Sequence, residues 1–176
     1  MAFHFLFAKN NQLSGTIPSR IFSKERIEQI DLDYNDLSGT LPAITGPRLH
    51  VLYLSNNNLS GTIPALGSSL QRIDLSRNNF EGHLHIEEGS LPSLVRFNVE
   101  YNQLTGTLPP SLGVSRALLY LGHNYLTVRA MRGCVLRFWL LSTAAGLHSP
   151  SIYSRRAPLF GMYVRIVRGC GWGLRH

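Results

Sequence analysis

One frame recurs six times along this 176-residue chain, and it constrains the fold more than any other feature. Each copy is anchored on an asparagine that stands two residues before an apolar side chain. The anchors are Asn11, Asn35, Asn57, Asn78, Asn102 and Asn124, at successive spacings of 24, 22, 21, 24 and 22. Three residues before each anchor stand Ala8, Leu32, Leu54, Leu75, Val99 and Leu121. Five before stand Leu6, Ile30, Leu52, Ile73, Phe97 and Leu119, and two after stand Leu13, Leu37, Leu59, Phe80, Leu104 and Leu126. Self-similarity at a period of 20–50 residues is the mark of a stacked-repeat architecture.

The spacing has a direct physical reading. Apolar residues five and three before the anchor alternate with polar ones, which is the period of a short strand with one buried face. A strand of three to five residues cannot bury that face alone. Stacked copies can, and they then form a continuous core behind a parallel sheet. The anchor lies where the chain turns inward after the strand. Its amide is placed to bond backbone groups that the turn leaves without partners. An asparagine in every copy is therefore expected to be structural.

The second half of the frame is the most specific part. It reads Ser14-Gly15-Thr16-Ile17-Pro18, Ser38-Gly39-Thr40-Leu41-Pro42, Ser60-Gly61-Thr62-Ile63-Pro64 and Thr105-Gly106-Thr107-Leu108-Pro109. The glycine suits a turn that needs positive φ. The proline suits a segment with no strand neighbour asking for its N–H. Read whole, the copies resemble the plant-type leucine-rich repeat over roughly residues 3–126. The resemblance implies an α/β-type repeat, a right-handed solenoid with a short-stranded parallel sheet on its concave face and irregular or 3₁₀ segments outside. It also implies the company of receptor-like kinase and receptor-like protein ectodomains, secreted inhibitors and some surface antigens. An extracellular or cell-surface location follows from the same resemblance, although residues 1–8 are too short and lack the basic start of a secretory signal.

The frame is imperfect in places. The fourth copy reads Glu81-Gly82-His83-Leu84-His85 and loses the serine and proline, and the sixth stops after Leu126. No cysteine-bearing cap flanks the array, although solenoid ends expose core and need covering; this predicts a fragment. Residues 127–176 form a second region. The formal charge of +7 misleads here, because residues 1–126 hold nine Lys and Arg against ten Asp and Glu, whereas 127–176 hold eight Arg and no acid. Both cysteines, Cys134 and Cys170, fall in this basic tail without metal-binding spacing. The loss of period predicts a disordered tail or one never selected to fold, in preference to a nucleic-acid or membrane-surface segment. The longest apolar stretch, 138–147, is about half of the roughly 20 residues a membrane helix needs.

Between the buried positions, other residues face outward. Four before the anchor these are Phe7, Asp31, Tyr53, Asp74, Asn98 and Tyr120. Two before they are Lys9, Asp33, Ser55, Ser76, Glu100 and Gly122, and one before they are Asn10, Tyr34, Asn56, Arg77, Tyr101 and His123. Stacked at about 4.8 Å, these columns make a grid of tyrosine with Asp, Asn and Arg, a composition suited to recognition. The candidate ligand-binding residues are Asp31, Tyr34, Tyr53, Asp74, Arg77, Asn98, Tyr101 and Tyr120. His83, His85 and Glu87 alternate as metal ligands could, but with no fourth ligand they do not make a zinc site. Asn58-Leu59-Ser60 is an N-glycosylation sequon inside the repeat. No phosphate loop, dinucleotide fingerprint or nucleophile elbow appears, so no enzyme and no cofactor is expected. The expected function is recognition of a protein, peptide or glycan on the concave face. The alternative is a structural or adhesive surface protein in which the solenoid is mainly a spacer.

Overall fold

The computed structural model describes residues 3–109, 111–112 and 117–127, with short strands at 138–139 and 163–165. The first twelve strands, in chain order, are β1 (Phe5–Phe7), β2 (Ser14–Gly15), β3 (Gln29–Asp31), β4 (Asp36–Thr40), β5 (Val51–Tyr53), β6 (Asn58–Gly61), β7 (Arg72–Asp74), β8 (Asn79–His83), β9 (Arg96–Asn98), β10 (Gln103–Thr107), β11 (Leu118–Tyr120) and β12 (Tyr125–Thr127). They alternate between two sheets, one strand of each per repeat. The main sheet runs β1-β3-β5-β7-β9-β11, and the second runs β2-β4-β6-β8-β10-β12. Every pairing among these twelve is parallel, so the chain is a solenoid that advances one strand position per turn.

The core lies behind the main sheet and follows the frame. Leu32, Leu54, Leu75, Val99 and Leu121 are buried, as are Ile30, Leu52, Ile73, Phe97 and Leu119. Behind the second sheet Leu37, Leu59, Phe80, Leu104 and Leu126 are buried too, and all of these belong to one cluster. Burial fades in the first copy, where Leu6 and Ala8 are only partly covered and Leu13 is exposed.

The second sheet departs from the sequence expectation. The glycine after each anchor was expected to serve a turn, and its segment is also a strand in register with its neighbours, Ser38 opposite Asn58 and Leu104 opposite Gly82. The repeated glycine makes this possible. Gly61 has φ +75, and a Cβ there would lie 3.0 Å from Thr40 Cγ2 of the preceding turn. Only glycine meets both demands, the left-handed backbone and the close approach. Helix is correspondingly scarce among the described residues, with a 3₁₀ turn at Ser19–Ile21 just beyond Pro18.

Two further strands extend the main sheet. The strands β13 (Phe138–Trp139) and β14 (Tyr163–Arg165) pair antiparallel with each other, and β14 pairs antiparallel with β11. The register sets Val164 opposite Leu119. The remainder of the expectation for 127–176 lies outside the described residues. At the end of the array β12 runs one residue past the motif, where the Thr127 hydroxyl donates to the Gly106 carbonyl at 3.1 Å. Among the described residues no helix is long and apolar enough to cross a membrane.

Candidate functional site on the main sheet

The anchor asparagines hold the sheet in shape. Asn78 Nδ2 donates to the carbonyls of Leu54, Leu75 and Ser76 at 2.9, 3.2 and 3.2 Å. Its Oδ1 accepts the Leu59 N–H at 3.0 Å. Asn35, Asn57, Asn102 and Asn124 repeat this pattern one turn apart, each tying its own turn to the one before. Both ends of every amide are occupied, so these side chains are scaffold and are not available to a ligand.

The strand register brings the central candidates together. Asp31, Tyr53, Asp74, Asn98 and Tyr120 are direct neighbours on five adjacent strands, forming one column across the sheet. They are not equally available. Asn98 is buried, donating from Nδ2 to Asp74 Oδ2 at 2.9 Å and accepting the Glu100 N–H at 3.1 Å. Asp74 also accepts the Ser76 hydroxyl at 2.6 Å and lies 4.0 Å from the Arg96 guanidinium. Tyr53 and Tyr120 stay half-exposed, with Arg96 4.6 Å above the Tyr120 ring.

Tyr34, Arg77 and Tyr101 form the adjoining column and are exposed. All six residues of this column, Asn10, Tyr34, Asn56, Arg77, Tyr101 and His123, are left-handed, with φ between 54 and 58. That conformation costs a non-glycine residue about 1–2 kcal/mol, least for asparagine. It swings the chain inward so that the next residue, the anchor, reaches the core side. Stacking runs along the column. The Arg77 guanidinium lies 4.3 Å from the Tyr101 ring centre, and the Tyr101 and His123 rings stack at 3.9 Å and 10°. At the other end Lys9 lies 5.4 Å over Tyr34.

The column two before the anchor needs correcting. It belongs to the same sheet side, but Asp33, Ser55, Ser76 and Glu100 are buried where solvated residues were expected. Burial pushes the Asp33 carboxyl up from its ordinary 3.8, although hydrogen bonds from Ser55 oppose it. Burial also pushes Glu100 up from 4.5, with Asp74 adding to the effect and Arg77 and Arg96 opposing it. No ion pair reaches Glu100 among the described residues.

This sets a pH dependence. The fold favours protonated Glu100, so between its ordinary and its folded value the native state binds more protons than the unfolded chain. The stability it contributes is present below about pH 4.5 and is lost as pH rises through the folded value. Glu100→Gln should therefore raise the thermal midpoint at pH 7, and the gain should shrink toward pH 4. A midpoint lowered at pH 7 would show that the carboxylate is a stabilising partner.

Some contributors were not singled out from the sequence. Arg72 and Arg96 are register partners on β7 and β9 and line one border of the column. His123 closes the aromatic stack. The arginines stand two residues before Asp74 and Asn98, in phase with the alternation but at the first residue of each strand, outside the columns read from the frame. The left-handed column did carry a signal, because Asn10 and Asn56 occupy it in two copies and asparagine tolerates that conformation. His83 and His85 lie with ring centres 6.2 Å apart on the other sheet's side, and among the described residues no three His, Cys, Asp or Glu side chains gather as a metal site.

A solenoid of leucine-rich turns with an asparagine ladder and a stacked strand face defines the class of protein. Its family description, Leucine Rich Repeat, matches at residues 48–68, 69–91 and 93–114. The chain belongs to the leucine-rich repeat proteins and is similar to plant receptor-like ectodomains. Receptor like protein 21 of Arabidopsis thaliana is 34% identical over 113 residues, covering 62% of this chain and 12% of that protein. Receptor-like protein 53 of the same plant is 39% identical over 122 residues, covering 66% and 12%. The chain thus spans about an eighth of the length of these curated relatives. Among solved structures, the plant peptide hormone receptor RGFR1 in complex with RGF2 superposes with a TM-score of 0.65 at 34% identity, over 70% of this chain and 21% of that one. The BIR2 ectodomain of Arabidopsis thaliana gives a TM-score of 0.60 at 31% identity, over 71% and 68%.

Proposed function

We propose that this chain is a non-catalytic recognition module of a cell-surface or extracellular protein, and that it binds a peptide, protein or glycan on the concave main-sheet face. The observation that carries this reading is the column Asp31–Tyr53–Asp74–Asn98–Tyr120, aligned by register, with exposed Tyr34, Arg77 and Tyr101 beside it. Tyrosine combines a large rigid contact area with a polar tip, which suits an interface. Support also comes from similar receptors solved as complexes, the plant peptide hormone receptor RGFR1 with RGF2 and the Arabidopsis receptor kinase HAESA with the peptide hormone IDA and the co-receptor SERK1. In this reading residues 3–126 are the binding domain and 127–176 lie outside it. A spacer role has one observation in its favour: Asp74 and Asn98 spend polar atoms on each other.

The two readings separate in a binding titration. A partner is captured on the intact chain from a cell-surface peptide fraction and titrated against variants whose folding has been checked. Tyr53→Ala and Tyr101→Ala should each weaken binding by about 1–3 kcal/mol, as expected of anchoring interface aromatics. Ser68→Ala, away from the sheet, should change little. If the tyrosine variants bind normally and a convex substitution abolishes binding, the face is assigned wrongly.

A further inference from the structure

We propose that Asn58 is an N-glycosylation site, and that its glycan stands at the start of a second-sheet strand, beside a cleft that Asn58 shares with Asn56 and Arg77. Asn58-Leu59-Ser60 is the one Asn-x-Ser/Thr tripeptide in the chain, since every other asparagine is followed two residues on by something else. The fold decides where such a sugar would stand. Asn58 opens β6, and the strand alternates, with Leu59 fully buried and Asn58 exposed on the opposite side. The Asn58 amide is also half free. Asn79 Nδ2 donates to Asn58 Oδ1 at 2.6 Å, and nothing among the described residues accepts from Asn58 Nδ2. Glycosylation replaces one hydrogen on that nitrogen and leaves Oδ1 in place, so the contact to Asn79 survives.

The neighbouring anchors show the contrast. Asn57 and Asn78 have both amide ends committed to the ladder. Asn79 is exposed like Asn58 but has Glu81 where the sequon needs a hydroxyl. The reaction is a group transfer without redox change. Nδ2 of Asn58 attacks C1 of a lipid diphosphate-linked oligosaccharide, the C1–O bond breaks, the lipid diphosphate leaves, and the amide loses a proton. The inference rests on the extracellular part of the proposed function and not on its ligand.

The test supplies entry to the secretory lumen artificially, so that it does not depend on the chain's own address. The full chain is translated behind a cleavable secretion leader in the presence of endoplasmic-reticulum microsomes, and the protease-protected pool is analysed. The wild-type chain should gain the mass of one glycan. Peptide N-glycosidase should remove it and leave aspartate at position 58. Asn58→Gln and Ser60→Ala should each abolish the shift, and Asn79→Gln should retain it. A protected wild-type pool with no shift, or a shift that persists in Asn58→Gln, overturns the proposal. On secreted protein the thermal midpoint should be the same before and after deglycosylation; a midpoint lowered by the glycan would overturn its placement at the strand start. The chain expressed from its native start then tests the extracellular reading separately.

Discussion

Replacing Asn78 by alanine is expected to cost about 3 kcal/mol or more, because each buried group left without its partner costs about 1–3 kcal/mol. The substitution removes three donated bonds and one accepted bond at once. It strands the Leu59 N–H, which is buried within β6, and it breaks the tie between the turns carrying Leu54 and Leu75. Aspartate is no rescue, since it cannot donate to three carbonyls. Asn11 provides the internal control. Among the described residues its amide reaches only the Ala8 and Lys9 carbonyls, at 3.1 and 3.2 Å, and it is exposed at the end of the array. Asn11→Ala should therefore cost no more than about 1 kcal/mol, the net worth of an ordinary exposed hydrogen bond. Urea unfolding of the two variants measures the difference. Equal losses would mean that the ladder contributes little beyond local turn geometry.

Leu54→Ala should cost about 2–5 kcal/mol, the usual range for emptying a fully buried leucine site. Leu54 is wholly inaccessible and lies in the middle of the array, with Leu32 and Leu75 at the same position in the turns on either side. Collapse around the missing atoms is restricted because the Leu32 carbonyl is held by Asn57 and the Leu75 carbonyl by Asn78 and Asn102. Ala8 is the natural counterpart, occupying the same position in the first copy with an alanine already present. It lies at the partly covered edge, where a small side chain leaves no closed cavity. Thermal unfolding checks the prediction, and a Leu54→Ala variant that melts like the parent would mean the central turns are loosely packed.

How much was legible differs between scaffold and surface. Leu54, Leu75 and their equivalents repeat in one chemical type at one spacing, so period alone assigns them to the core. The anchor asparagines repeat as strictly, and their role follows from needing a donor and an acceptor at a turn. The second sheet was hidden because its strands carry Ser-Gly-Thr, which reads as a turn, and strand formation there depends on Thr40 lying against Gly61 from another repeat. The buried acids were hidden for a related reason. Asp33 and Glu100 look like solvated residues in sequence, and only the stacking of the turns takes them out of water.

The sequence by itself determined the repeat, the parallel stacking, the buried apolar columns and which positions point to the other side of the sheet, because each depends on a pattern internal to one copy and multiplied along the chain. The tertiary structure decided what that face is made of. It paired Asp74 with Asn98, stacked Arg77, Tyr101 and His123 into one column, and buried Glu100. These are contacts between side chains some 20 residues apart. They depend on strand register and on the sizes of neighbouring side chains, and neither is written in any single repeat.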